Sequence, residues 1–248
     1  MAYSNGIAQF YDLFGQPEIG SDDAADFLLS IASVRGTLLD IGAGVGKTAF
    51  ALAEKGIRVT ALEPDCEMFA VLLSRLALRA DIQAFVSPVP RGADYDMAEK
   101  FEMGSCFSVL HLMKQSVRLA LVKNAIQRIA SKGKLVLEMP MVSPRRTAKP
   151  WHLAAEREFG SVRFEHHAMT SASPDGSWHT HWKFCIVQGG RLLQAVEQSF
   201  QWQPLSLAES SELLNLPGIV KYDDFGDYDG APFVANDSRV RLTIAHLT

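Results

Sequence analysis

The chain has 248 residues, 48% of them hydrophobic and 21% charged, with a formal net charge of −4. A chain of this size and composition buries a large core without staples, which excludes a disordered protein. The negative balance argues against a broad nucleic-acid-binding face. Three cysteines, Cys66, Cys106 and Cys185, form no C-x-x-C pair. They read as reduced thiols of a cytoplasmic protein. No basic segment leading into an apolar run opens the sequence, and no stretch of about 20 apolar residues occurs, so neither a signal peptide nor a membrane span is expected.

Short apolar runs alternate with helix-like stretches over the first two thirds. Thr37–Ile41 is a strand candidate that ends in glycines. Residues 47–55 read as a helix closed by Gly56. A β-branched, alternating run over 57–62 is the next strand. Helical periodicity follows over 65–80, with Asp65 as its N-cap. Residues 82–86 and 101–107 are short strands, 117–130 an amphipathic helix, and Gly133-Lys134 turns the chain into a strand over 135–139. This rhythm predicts an α/β fold, a mostly parallel sheet with helices on both faces.

After Pro140 the pattern changes. Residues 143–150 read as loop, and three alternating runs follow over 162–169, 177–187 and 192–202. The turns Ser173-Pro174-Asp175-Gly176 and Gln188-Gly189-Gly190 separate them. They predict an antiparallel β subdomain inserted at 140–202, between a core of 1–139 and its completion in 203–248. The completion holds a helix over 205–216 and strands over 220–225 and 240–246.

The chemically informative stretch runs from Leu38 to Thr48, a strand passing through glycines into a helix. Glycines let backbone N–H groups approach a ligand, and a helix N-terminus adds partial positive charge. A nucleotide P-loop needs glycine at position 41, where Ile41 stands. A dinucleotide fingerprint fits Gly42 and Gly44, but its third glycine falls at 46 and Lys47 follows. The pattern D-x-G-x-G-x-G is matched in full by Asp40, Gly42, Gly44 and Gly46. Glu63 ends the second strand, at the spacing where an acid accepts hydrogen bonds from ribose hydroxyls.

The segment from Asp40 to Glu63 resembles the first motifs of class I S-adenosylmethionine-dependent methyltransferases, in their small-molecule branch. Four further segments are similar: Phe10-Tyr11 near the start, 107–112 after the fourth strand, 129–138, and 225–233. The resemblance implies a Rossmann-like sheet of seven strands with the last antiparallel, and S-adenosyl-L-methionine as cofactor. Tyr11, Asp40, Gly42, Ala43, Gly44, Gly46, Glu63, Pro64, Met68, Ser87, Pro88, Phe107 and Ser108 are its implied contacts. One departure is the region after the third strand. Many members carry an aspartate there for the adenine amino group, whereas this chain reads Phe85-Val86-Ser87-Pro88. No N-P-P-Y follows the fourth strand, which disfavours a DNA adenine or protein glutamine acceptor.

Methyl transfer from a sulfonium needs an acceptor held in line and, for nitrogen or oxygen, the loss of a proton. His111, Tyr11 and Glu138 are the candidate catalytic groups. Trp151, His152, His179, His181 and Tyr228 are candidates for a small-molecule acceptor pocket, and the loop cations Arg145, Arg146 and Lys149 suit an acidic acceptor. His179 and His181 share a strand face, but no third ligand stands at an obvious spacing, so no metal is expected. The inserted strands offer edges for self-association as a homodimer. Two other uses of the same fold stay open: consumption of the cofactor without methylation, as in intramolecular cyclisation, and a cofactor-binding module without turnover. On the ribose assignment, Glu63→Ala weakens cofactor binding by roughly 1.5–3 kcal/mol, the value of hydrogen bonds to a charged group. Titration calorimetry with S-adenosylhomocysteine measures it.

Overall fold

A computed structural model describes residues 7–14, 21–33, 35–94 and 98–248. Strand β1 (Thr37–Ile41), helix α3 (Lys47–Glu54), β2 (Arg58–Leu62), α4 (Cys66–Ala77), β3 (Val86–Val89), β4 (Phe101–Cys106), α5 (Gln115–Arg128) and β5 (Ile129–Pro140) follow two N-terminal helices, α1 (Ile7–Phe14) and α2 (Ser21–Ile31). Helix α6 (Leu207–Leu214) and strands β10 (Ile219–Phe225) and β11 (Val240–Leu247) end the chain. Seven strands form one sheet in the order β10-β11-β5-β4-β1-β2-β3. All pairings among β1 to β5 are parallel, and β11 runs antiparallel to both neighbours. The expected seven-stranded sheet with an antiparallel last strand is the one observed.

Strand parity explains the layers. Leu39, Ile41, Leu135, Leu137 and Met139 join α5 and α6 in one buried cluster, whereas Leu38, Val59, Ala61 and Val136 join α2, α3 and α4 in the other. Both faces of the sheet are thus dry, which is why its strands read as near-continuous apolar runs. Asp65 caps α4 as expected, its Oδ1 accepting from Glu67 N and Met68 N at 3.0 Å each.

Three local expectations need correction. The strand expected over 82–86 is a 3-10 turn over Gln83–Phe85, and the strand itself is β3, displaced toward the C-terminus. Pro88 sits in it because β3 is an edge strand, where a missing N–H costs no ladder bond. Strand β5 begins at Ile129, earlier than expected, and carries a register shift opposite Phe101 and Met103. Gly133 lies in that bulge because a Cβ would meet Ile129 Cγ2 at 2.4 Å. Finally, the inserted sheet has four strands, since Lys149-Pro150, expected as loop, opens a strand that the sequence did not reveal. It comprises β6 (Lys149–Phe159), β7 (Val162–Ala172), β8 (Trp178–Gln188) and β9 (Arg191–Trp202), paired antiparallel in chain order.

Helix α1 joins the two sheets. Ile7 and Phe10 bury against Phe184 of β8, with Trp182, Phe164 and Val196 around them. On its other side Ala8 packs with Val45 of the glycine loop and Met68 of α4. The rings of Phe10 and Phe184 stack at 5.5 Å. Phe184→Ala removes the centre of this contact and lowers stability by about 3–5 kcal/mol, the cost of truncating a buried aromatic. Urea unfolding of the two proteins measures the difference.

Candidate active site

The carboxyl ends of β1, β2, β4 and β5 converge, and Asp40, Glu63, Ser108 and Glu138 meet along that edge. Chain geometry at the end of β1 is set by glycine. Gly42, Gly44 and Gly46 have φ of 78°, 56° and 82°, the left-handed region that other residues enter only under strain. A Cβ on Gly42 would meet Val109 Cγ2 at 2.3 Å, while one on Gly44 would meet nothing within 4 Å. Most of the loop's N–H groups are engaged within the protein, contrary to the expectation that they face a ligand. Gly42 N and Ala43 N donate to Leu62 O at 2.9 Å, and Gly46 N donates to Ala43 O. Gly44 N donates to Glu63 Oε2 at 2.8 Å. Glu63 Oε1 accepts from Asp65 N at 2.7 Å. Burial pushes the Glu63 carboxyl above the usual carboxylate range, against the two N–H groups that favour its charged form.

Asp40 lies beside the loop, 4% exposed. Its Oδ1 accepts from Ser105 Oγ at 2.8 Å. Its Oδ2 is buried with no hydrogen-bond partner. Burial raises its pKa to about 6. Glu138, fully buried near the end of β5, accepts from Ser108 N at 2.5 Å through Oε2. That bond holds Ser108 at φ 56°, so Glu138 fixes the turn that leaves β4. The Tyr228 phenol faces the same carboxylate, and its ring lies between Phe107 at 6.0 Å and Phe27 at 6.4 Å. Neither Glu138 Oε1 nor Tyr228 Oη has a hydrogen bond of good geometry. Tyr228 therefore sits on the core side of this edge, among the groups around Ser108.

His111 occupies a 3-10 turn over Leu110–Leu112. Its ring meets Trp202 edge-on at 5.5 Å, and its Nδ1 is buried without a partner. Burial pushes the imidazole down to about 3, with the charges of Arg146 and Arg118 adding to the effect. Arg146 stacks over the Trp202 ring at 4.7 Å.

The inserted sheet presents one face to α1 and His111. Trp178, Thr180, Trp182 and Phe184 of β8 lie on it, as do Val196, Gln198, Phe200 and Trp202 of β9, their cross-strand partners. Trp182 approaches Tyr11 at 6.0 Å and Phe200 at 4.8 Å, and Trp202 Nε1 donates to Thr180 Oγ1 at 3.0 Å. His179 and His181 have the opposite parity and face away from α1. His181 Nδ1 shares a hydrogen with Ser199 Oγ at 2.6 Å and neighbours Trp151, which is 48% exposed. The structure thus separates Trp151, His179 and His181 from Tyr11 and His111. His152 pairs with Ala168 on the inner-face parity, and its Nδ1 lies 2.9 Å from Pro150 O. Sequence reasoning missed Trp182, Phe200 and Trp202. The signal was present, because the Trp178-Thr180-Trp182-Phe184 set is the more apolar half of β8.

The other expected cofactor contacts divide. Met68 is buried under α1, and Phe107 and Ser108 line the exit of β4. Ala43 is half-buried in the loop, and Pro64 is exposed beside Glu63. Ser87 and Pro88 lie inside β3, opposite Thr60 and Ala61, so they do not form the loop after the third strand. Outside this edge, Glu165, His167 and Cys185 bring potential metal ligands within 4.8 Å of one another on the outer face of the inserted sheet. Both Glu165 oxygens are already taken, by Arg163 at 2.7 Å and His167 at 2.9 Å.

S-adenosylmethionine fits the residues at the carboxyl edge. A buried carboxylate oxygen without a partner suits the ammonium of its amino-acid end, and the open surface over Gly44 leaves room for it. On this fit Asp40 must lose its proton to bind the ammonium. Its pKa of about 6 predicts that affinity for S-adenosylhomocysteine is level above pH 6 and falls below it, by at most about tenfold per pH unit. Calorimetry across pH 5–8 measures the profile, and Asp40→Asn removes that component of the slope.

Comparison with known proteins agrees with this geometry. A family model described as a methyltransferase domain matches residues 18–173. The cypemycin N-terminal methyltransferase of a Streptomyces species is 25% identical over 211 residues, 84% of this chain and 82% of that protein. Among solved structures, the CcbJ methyltransferase from Streptomyces caelestis is similar with a TM-score of 0.75 and 20% identity, covering 98% of this chain and 96% of that one. The sugar N-methyltransferase KedS8 from Streptoalloteichus gives a TM-score of 0.74 at 14% identity, covering 100% and 96%. The chain belongs to the methyltransferase domain family and is an S-adenosylmethionine-dependent methyltransferase.

Proposed function

We propose that this enzyme methylates an amine nitrogen of a small polar acceptor, held between the carboxyl edge of the core and the inner face of the inserted sheet. The observation that carries the reading is the state of His111: neutral at physiological pH, with a buried Nδ1 that has no partner, set edge-on against Trp202. Such an imidazole is too weak a base to ionise a hydroxyl, whose proton is held about as tightly as that of water. An amine needs no such base. An α-amino group titrates at about 7.7–8.0, so roughly a tenth to a sixth of it carries a free lone pair at pH 7. The names of two similar proteins, an N-terminal methyltransferase and a sugar N-methyltransferase, point the same way.

The cofactor supplies the electrophilic methyl group and its thioether leaving group. Asp40 would hold its ammonium and Glu63 its ribose hydroxyls, with Met68, Phe107 and Tyr11 around it. Trp182 and Trp202 would exclude water, and His111 would accept a hydrogen bond from the acceptor and turn its lone pair in line. Orientation of this kind accounts for as much as roughly 7–11 kcal/mol of a barrier. In this reading 1–139 with 203–248 is the cofactor-binding core, and 140–202 is the acceptor side.

The same reading takes the enzyme as cytoplasmic and homodimeric. Three free cysteines support the first. Among the described residues no helix is long and apolar enough to cross a membrane. Exposed Phe159, Leu192 and Leu193 on the edge strands β6 and β9 support the second.

Incubation with methyl-labelled S-adenosylmethionine and a panel of small primary amines, each paired with its hydroxyl analogue, tests the proposal. Label passes to the amines and not to the hydroxyls. Label on hydroxyl analogues alone rejects the nitrogen assignment, and methylthioadenosine released without any acceptor rejects methyl transfer. His111→Ala lowers kcat/KM roughly 10–100-fold, the scale of a misplaced reactant, while leaving S-adenosylhomocysteine affinity within twofold.

A further inference from the structure

Among the described residues, Arg118 of α5 is the largest fully buried side chain, with 0% of its surface exposed. A buried guanidinium is costly unless every donor finds an acceptor, and an apolar side chain would fill the same volume at less cost. Its bonds are specific. Nε donates to Leu110 O at 2.8 Å and Nη2 donates to Gln203 O at 2.7 Å. Nη1 lies 3.5 Å from Glu209 Oε1, and Glu209 is itself held by the capping box of α6 with Ser206.

The two carbonyls come from different parts of the chain. Leu110 directly precedes His111, on the segment that leaves β4. Gln203 directly follows Trp202, where β9 leaves the inserted sheet. Gln203 N donates back to His111 O at 2.8 Å, closing a frame of three hydrogen bonds around the His111–Trp202 contact. One planar fork therefore fixes the core segment and the exit of the inserted sheet at a set separation. The fork geometry of arginine, with its donors in one rigid plane, suits it to bridging two carbonyls.

We infer that Arg118 is a positioning residue for methyl transfer: it locks His111 against Trp202 and so sets the width of the acceptor site. Its hydrogen bonds go to neither ring, and it acts through the backbone on either side of them. That His111 and Trp202 wall the acceptor rests on the function proposed above, but the lock itself does not, and the test separates the two.

Arg118→Lys keeps the charge and one carbonyl bond and loses the fork. Its expected effects are local. The Gln203 amide loses hydrogen-exchange protection, and the His111 pKa, followed by NMR with S-adenosylhomocysteine bound, rises from about 3 by at least one unit. Affinity for S-adenosylhomocysteine stays within twofold. With the best primary amine of the panel, kcat/KM falls at least tenfold, and a Trp202→Phe substitution adds little further loss in the Arg118→Lys background. An unchanged Gln203 amide and an unmoved His111 overturn the inference. So does a loss of S-adenosylhomocysteine affinity that matches the loss of activity, the mark of general destabilisation. Glu209→Gln preserves both carbonyl bonds and is expected to behave as wild type. If it reproduces the Arg118→Lys effects, Arg118 acts through α6 and the lock is rejected. Should the amine panel yield no substrate, the exchange and NMR measurements still decide on the lock.

Discussion

Three backbone N–H groups of the glycine loop turn back into the protein, two onto Leu62 O and one onto Glu63. They clasp the end of β1 to the end of β2, and the rest of the site is built on that clasp. The left-handed conformation at Gly42, Gly44 and Gly46 makes the turn tight enough for the bonds to form, and Val109 packs into the space that a side chain at Gly42 would take. Glu63 is thereby placed with both oxygens oriented, and each retains lone pairs for a ligand. The loop is a rigid floor rather than a ring of free donors.

Helix α1 works on top of that floor. It packs on Val45 and Met68 below and on Phe184 and Trp182 above, so the same eight residues cover the glycine loop and fasten the inserted sheet. Tyr11 meets Trp182 at this junction. At this junction the two sheets meet through the helix.

Charge is divided across the site. On the cofactor side, burial pushes the carboxyls of Asp40, Glu63 and Glu138 upward, and a cationic ligand relieves that cost. Beside Trp202, burial holds His111 neutral, and the charges of Arg146 and Arg118 add to the effect. On the proposed function, a sulfonium donor would lie on the side where the carboxyls are concentrated, and the acceptor would meet a wall that disfavours a second cation. An amine enters such a wall more readily without its proton, the form that can attack.

The glycine loop, Glu63, the Asp65 cap, and most strands and helices of the core were legible in the residues, because each depends on local chemistry: φ available only to glycine, a cap at one position, or apolar runs buried on both sides. Strand β6 was not legible, since Lys149-Pro150 reads as loop while its place in the sheet is decided by pairing to β7 across the meander. The strand after α4 was misplaced for a related reason: Pro88 is tolerated only because β3 turned out to be an edge. The choice between His179 or His181 and Trp182 or Trp202 is a matter of which sheet face meets α1, and alternation alone names two faces without saying which is inward. Arg118 stood unmarked in an amphipathic helix, for its partners are carbonyls from positions 110 and 203 that carry no sequence signal. The sequence alone determined the cofactor, because a motif of closely spaced residues builds that half of the site. Only the tertiary structure decided that His111 meets Trp202 and Tyr11 meets Trp182, because those contacts are assembled by packing a helix, a turn and a separate sheet whose residues are distant in the chain.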